Sequence, residues 1–440
     1  MSDQNPSNGV RPNVSLAWVF VGALVGWVPL IWHFEYFWQF FYFMDEWDLI
    51  NKMDVLGYQN WVFGFFAENF VPVFKLIWSG LIFSGNGNYH FIMVFGFLLH
   101  SLILLLIGYL LRMWGFGLFT ILFSQLVVGL NYTHIEVLTW TSQYSSLLAF
   151  LSFLLVLVPF SRAYIKQIVT PWSVCTVIVV VSALGALSFS RGVLNGVSIF
   201  GCCVVLWMLR DPKVKSVWRA AISAMIPCVG IALYIAIWSF SNSSNFSSSG
   251  SRLDAIFTHF FFRISLNPWY QQIRELQISW SQALVLLQLN VMCLVFGIRW
   301  ARKANRPLLY LLVLFFLGDA FLLALGRNHL HISSISGWRY QYLILVLFAP
   351  FVGVLLEKFL GYVRQDLIRR SASFVVLLVI ARWVFIPWGV HLPTWSQERG
   401  TYARQKIVDD SSVAEDYDIS KFDEVSNERA LELKEKYNLH

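Results

Sequence analysis

The chain reads as an all-α, polytopic integral membrane protein of about eleven transmembrane helices, and three observations lead there. It is 57% hydrophobic and 17% aromatic but only 13% charged, against about 25% charged in ordinary globular domains. Its mean hydropathy is +0.61. Apolar runs approaching the ~20 residues needed to cross a bilayer recur between short polar breaks. This pattern excludes a soluble protein with one large core. The net charge of +7 carries no message about nucleic acid, because lysine and arginine in such a chain mark cytoplasmic loops.

The elements follow in order. Residues 1–15 form a polar cytoplasmic tail without a secretory cleavage pattern. The apolar run behind it is too long for a signal h-region, so it is expected to remain as the first span. Basic clusters fall at Arg162 and Lys166; at Arg210, Lys213, Lys215 and Arg219; at Arg299, Arg302, Lys303 and Arg306; and at Lys358, Arg364, Arg369 and Arg370. Placing them all in the cytoplasm predicts spans near 16–43, 88–111, 116–131, 142–160, 173–189, 195–209, 218–239, 281–299, 308–325, 340–357 and 372–389. The N-terminus is then cytoplasmic and the C-terminus outside.

Residues 69–84 are apolar but short, with Pro72 and Lys75 near their start. Counting them as a span would invert every later loop, so 44–87 reads as a first outer loop carrying surface helices. A Ser/Asn-rich stretch opens a second outer loop over 240–280. The transmembrane unit thus covers 16–390, and 391–440 turns charged, reading as a soluble tail with one short helix over 426–437. Cys175, Cys202, Cys203, Cys228 and Cys293 all fall inside expected spans, so neither a disulfide framework nor a zinc site is implied. No repeat of fixed period is present.

Chemistry concentrates where the first apolar run ends, at Met44-Asp45-Glu46-Trp47-Asp48. Charge is costly in hydrocarbon, so three acids there are either a solvated helix end or a reaction centre. If the helix continues through the motif, Asp45 and Asp48 share a face at i, i+3. The other polar residues expected outside are Glu68, Asn69, Lys75, His90, His134, Glu136, Gln143, Arg191, Arg327, His329, His331, Arg339 and Tyr340. Arginines outside run against the orientation bias, and a guanidinium fork suits a phosphate at a membrane interface. Arg339 between Trp338 and Tyr340 also suits an aromatic-belt anchor, and Lys75 also suits snorkelling from a surface helix. His329 and His331 do not share a helical face and lack a third ligand nearby. Asp319 and Arg382 lie at similar depth within late spans, which suggests that they pair with each other.

Three stretches resemble the GT-C superfamily of polytopic glycosyltransferases. They are Asp45-Glu46-Trp47-Asp48, the segment from Glu68 and Asn69 to Lys75, and Gly337-Trp338-Arg339-Tyr340 following Arg327. The likeness is closest to bacterial surface-glycan and phage serotype-converting enzymes. It covers the first ~150 residues best and the remainder mainly in topology; the large folded C-terminal domain of some branches is lacking. The resemblance implies transfer of a sugar from a polyprenyl-phosphate donor to a hydroxyl of a surface glycan or lipid-linked saccharide. It implies Asp45 as base, with Glu46 and Asp48 as further acidic candidates. Arg339, Arg327, Arg191, Lys75 and Tyr340 are the candidates for the donor phosphate. Glu68, Asn69, Glu136, Trp140 and Gln143 are those for acceptor or sugar. The sequence requires no cofactor; in some members of that family the acid also holds a divalent metal, which leaves Mg or Mn open. The expected setting is a bacterial inner membrane with the site facing the periplasm. Two other classes stay open: a flippase for lipid-linked saccharides, and an O-antigen polymerase or ligase.

Overall fold

The computed structural model describes residues 14–66, 69–241, 253–266, 279–327, 341–363, 365–408 and 425–439. Almost all of that chain is helical. The opening run does not form one continuous span. It breaks into α1 (Leu16–Leu24), a 3-10 turn at Val25–Trp27, α2 (Val28–Trp32) and α3 (Phe34–Phe37). Pro29 sits in the first turn of α2 and has no N–H to continue the ladder behind it, so the helix must restart there. Helical structure ends at Phe37, and 38–43 lead without regular structure into the acidic motif.

The segment expected to be the first outer loop folds as α4 (Asp45–Leu56), α5 (Tyr58–Phe63), a two-residue strand pair, and α6 (Pro72–Ser84). Gly57 turns the chain between α4 and α5 at φ +75, which glycine tolerates without strain. In the strand pair Phe65 faces Phe70 and Phe66 faces Asn69. The long helices then follow: α7 (Tyr89–Met113), α8 (Leu118–Gly129), the short α9 (Ile135–Thr139), α10 (Tyr144–Lys166), α11 (Trp172–Ser188), α12 (Leu194–Met208) and α13 (Val214–Ser241). After α14 (Leu253–Leu266) come α15 (Trp280–Trp300), α16 (Arg306–Arg327), α17 (Gln341–Leu360), α18 (Asp366–Phe385), α19 (Trp388–Val408) and α20 (Asn427–Tyr437). Local signals explain several starts. Asn88 caps α7, Ser279 and Gln282 form a reciprocal capping box on α15, and Ser426 caps α20.

Among the described residues eight helices are long and apolar enough to cross a membrane. The count is nine if α8 and the segment Tyr132–Thr139, bent by 50°, form one broken span. Each of the eleven expected segments falls on a helix, but 16–43 and 173–189 fall on helices of 17 residues or fewer. At 1.5 Å per residue these reach about 26 Å, short of the ~30 Å hydrocarbon core. The chain is therefore an all-α protein built for a membrane, with eight or nine helices among the described residues long and apolar enough to span it.

Several basic loops are tied to their neighbours by hydrogen bonds at the helix ends. There Arg112 Nε donates to Val14 O at 2.6 Å, Tyr164 hydroxyl to Asp211 Oδ2 at 2.6 Å, and Arg306 Nη2 to Arg299 O at 3.1 Å. Close packing comes from small residues, as between lipid-embedded helices generally. Gly196 of α12 lies against α13 beside buried Ala220 and Ala224, where a Cβ would stand 2.3 Å from Ala224 O.

Residues beyond 391 depart from the expected solvated tail. α19 buries Trp388, Leu392, Arg399 and Tyr402, and α20 docks on α4. Leu439 reaches Gly87, at the opposite end of α7 from Val14. The described cysteines carry no disulfide.

Candidate functional site

The acidic motif is set by an unusual backbone. Met44 takes φ 39 and ψ −106, a region costly for a residue with a side chain, by about 1–3 kcal/mol. From that bend α4 begins at Asp45, with Asp45, Glu46 and Asp48 in its first turn. The positive end of the helix dipole favours carboxylates there. Asp45 and Asp48 lie on one face, both half-buried, and Asp48 accepts from Lys52 Nζ at 2.7 Å.

Glu46, about 100° further round the helix, turns inward and is wholly buried. Its Oε2 accepts from Phe43 N at 2.7 Å. Its Oε1 accepts from both Thr141 N and Thr141 Oγ1 at 2.6 Å, with the Tyr89 hydroxyl at 3.3 Å. Thr141 Oγ1 in turn accepts from Trp78 Nε1 at 2.8 Å. Burial pushes the Glu46 carboxyl up to about 7, against the opposing pull of Arg399 and the donors from Thr141 and Phe43. Glu46 thus ties α4 to the segment after α9 and has no open face for a substrate. Of the three acids, Asp45 and Asp48 are the reachable ones.

Arg399 is the residue that sequence reading missed. Its guanidinium is 1% exposed and stacks 3.7 Å above the Phe43 ring, with Trp395 at 4.8 Å and Trp140 at 5.4 Å. Glu46, Glu136, Tyr89 and Tyr402 face it electrostatically. Among the described residues Nε, Nη1 and Nη2 find no hydrogen-bond partner. Aromatic faces hold a desolvated cation by about 2 kcal/mol or more. The signal was present in the spacing. Trp388, Leu392, Trp395, Arg399 and Tyr402 recur at helical intervals through a segment whose overall composition reads as polar.

The expected cations divide. Lys75 is buried and donates to Trp61 O at 2.6 Å and Gly64 O at 2.9 Å, fastening the α5 end rather than snorkelling. Burial lowers its pKa to about 8, with Lys52 adding to the effect and Asp48 opposing it. Arg191 sits on the 3-10 turn after α11, with Nε 3.4 Å from Asp319 Oδ1 and both side chains buried. Buried Arg263 of α14 also faces Asp319. This corrects the expected pairing of Asp319 with Arg382, which lies exposed on α18. The Ser190 hydroxyl donates to Asn69 Oδ1, joining the Arg191 turn to the strand pair before α6.

Glu136 and Trp140 are buried beside Arg399, whereas Gln143 is half-buried and donates weakly to Ser142 Oγ at 3.4 Å. His90 stacks on Trp38, and His134 packs against His100 and Tyr342. Glu68, His329, His331, Arg339 and Tyr340, and the side chain of Arg327, lie outside the described residues. Among the described residues no group of three or more His, Cys, Asp or Glu side chains is arranged to hold a metal ion. No protein-family model matches the chain, and no curated protein matches it.

Proposed function

We propose that the chain is a membrane glycosyltransferase, a hexosyltransferase of the GT-C type. It takes a sugar from a polyprenyl-phosphate donor and transfers it to a hydroxyl of a surface glycan or lipid-linked saccharide. The site faces outward, in a bacterial inner membrane towards the periplasm. The observation that carries this reading is the strained bend at Met44, which presents Asp45 and Asp48 on one helix face at a helix N-terminus. Strain held at one residue beside half-buried acids is characteristic of a functional site.

In this reading Asp45 takes the hydroxyl proton as the acceptor oxygen attacks the anomeric carbon and the donor phosphate departs. Arg327 and Arg339 are the residues assigned to the donor phosphate, whereas Arg191 is buried against Asp319 and Lys75 is committed to the backbone of α5. Asp45 rather than Glu46 is the base, because Glu46 is enclosed and its oxygens are occupied.

One observation favours a second reading, a flippase for lipid-linked saccharides: the 50° break between α8 and the Tyr132–Thr139 segment. Transporters build midplane sites from broken helices. The test is mass spectrometry of surface glycans from cells with and without the protein. A sugar increment present only with the protein supports transfer. Glycans that change in amount but not in composition support transport instead.

A further inference from the structure

The basic end of the molecule carries a cleft that the proposed chemistry does not use. It lies between α1, α8 and α18, has a volume of about 780 Å³, and is walled by Val21, Leu122, Leu126, Phe374, Leu378 and Ala381, among other apolar side chains. Arg369 and Arg370 stand at its mouth, with Trp18 and Glu357. α18 packs on α8 and α17 and is the least enclosed of the long apolar helices, and Phe374 and Leu378 are left 62% and 53% exposed.

Three features say what fills it. First, length: from Arg370 to Ala381 the cleft runs 11 residues along α18, about 16 Å. One leaflet of a ~30 Å hydrocarbon core is about 15 Å deep. The length of the cleft thus matches the depth of one leaflet. Second, chemistry: its walls are hydrocarbon and aromatic, and only its mouth is charged.

Third, the sign of that charge. Glu357, which also lines the cleft, is bound to the start of α8, where its Oε2 accepts from Thr120 N at 3.2 Å and from the Thr120 hydroxyl. Asp366 pairs with one Nη of Arg369 at 2.5 Å, and Arg369 and Arg370 both line the cleft. Lys358 stands nearby on the same end. A planar fork is the preferred partner of a phosphate.

We propose that this cleft is a binding site for one anionic phospholipid of the leaflet at the basic end. Its phosphate is held by Arg369 and Arg370, and an acyl chain lies between α1, α8 and α18. The lipid closes the gap beside α18 and seats that helix against the bundle. The site is separate from the acidic turn at the other end of the molecule and does not rest on the transferase reading.

Native mass spectrometry of the intact protein in detergent, titrated with phosphatidylglycerol or phosphatidylcholine of identical chains, tests it. Each arginine near a charged headgroup contributes about a fivefold preference, so the first lipid retained should favour phosphatidylglycerol by about 25-fold. Arg369→Gln with Arg370→Gln should remove that preference, whereas Arg302→Gln should leave it intact. Leu378→Trp, which fills the cleft, should reduce retention of both lipids. Arg302, Arg370 and Leu378 are exposed and Arg369 is half-buried, and an unchanged elution volume verifies folding. Equal retention of the two lipids by the wild type overturns the proposal. So does an unaltered preference in the double variant. Displacement of phosphatidylglycerol by an equimolar polyisoprenyl phosphate overturns it too, since the cleft would then belong to an isoprenoid.

Discussion

Glu46 offers the sharpest physical test of the site. Glu46→Ala would strip two buried amides, Phe43 N and Thr141 N, of their acceptor. Each orphaned buried donor costs about 1–3 kcal/mol, so the loss should be about 2–6 kcal/mol. Glu46→Gln keeps one oxygen and turns an NH2 toward the other donor, so about 1–3 kcal/mol is expected. The two variants also separate packing from charge. The folded carboxyl titrates at about 7 because it is buried, whereas in an unfolded chain a glutamate titrates near ~4.3. Between those values the folded state holds a proton that the unfolded state has released, so stability falls as pH rises.

From pH 6 to pH 8 the wild type should therefore lose roughly 1.3 kcal/mol relative to Glu46→Gln, which cannot titrate. The assay is denaturant unfolding in micelles at both pH values, read as the difference between wild type and variant so that other titrating groups cancel. A difference that is flat or rises between pH 6 and pH 8 would refute the burial argument. So would Glu46→Ala as stable as the wild type.

Other outcomes follow from the same geometry. Lys75→Met should cost about 3–6 kcal/mol by releasing Trp61 O and Gly64 O, since hydrogen bonds from charged donors contribute ~1.5–3 kcal/mol each; unfolding in micelles measures it. Asp319→Asn and Arg191→Gln should each destabilise by about 3–5 kcal/mol and together by less than their sum, while Asp319 and Arg382 should show no coupling in the same cycle. Asp54 accepts from Lys436, Arg429 and Tyr437, and those contacts, Lys436 first, hold its carboxyl down to about 2. Its contribution is present above the ordinary carboxylate pKa and is lost as pH falls through about 2. Helix α20 should therefore stay protected from hydrogen exchange down to about pH 4, and Asp54→Asn should expose it at neutral pH.

Much of the fold was legible because the hydrophobic pattern is strong. Long apolar runs gave the helices, and Ser426 with the charged run behind it gave α20. The broken first span was not legible from hydropathy, although Pro29 marks where its ladder fails. At the site, the shared face of Asp45 and Asp48 followed from i, i+3 spacing. The inward turn of Glu46 did not, because which face of α4 is buried depends on Thr141, 95 residues away. The misplaced partner of Asp319 has the same origin. Equal depth in the membrane says nothing about which helices are neighbours, and α16 packs on α12 near Arg191 rather than beside Arg382. Arg399 was hidden by composition: a charged segment averages as solvated even when its apolar stripe repeats at helical spacing.

The most direct test of the central claim is the surface-glycan mass spectrum of cells expressing wild type, Asp45→Asn or no protein at matched levels. The account predicts one added sugar with the wild type and none in the other two. An Asp45→Asn variant that adds the same sugar at the same level would contradict it.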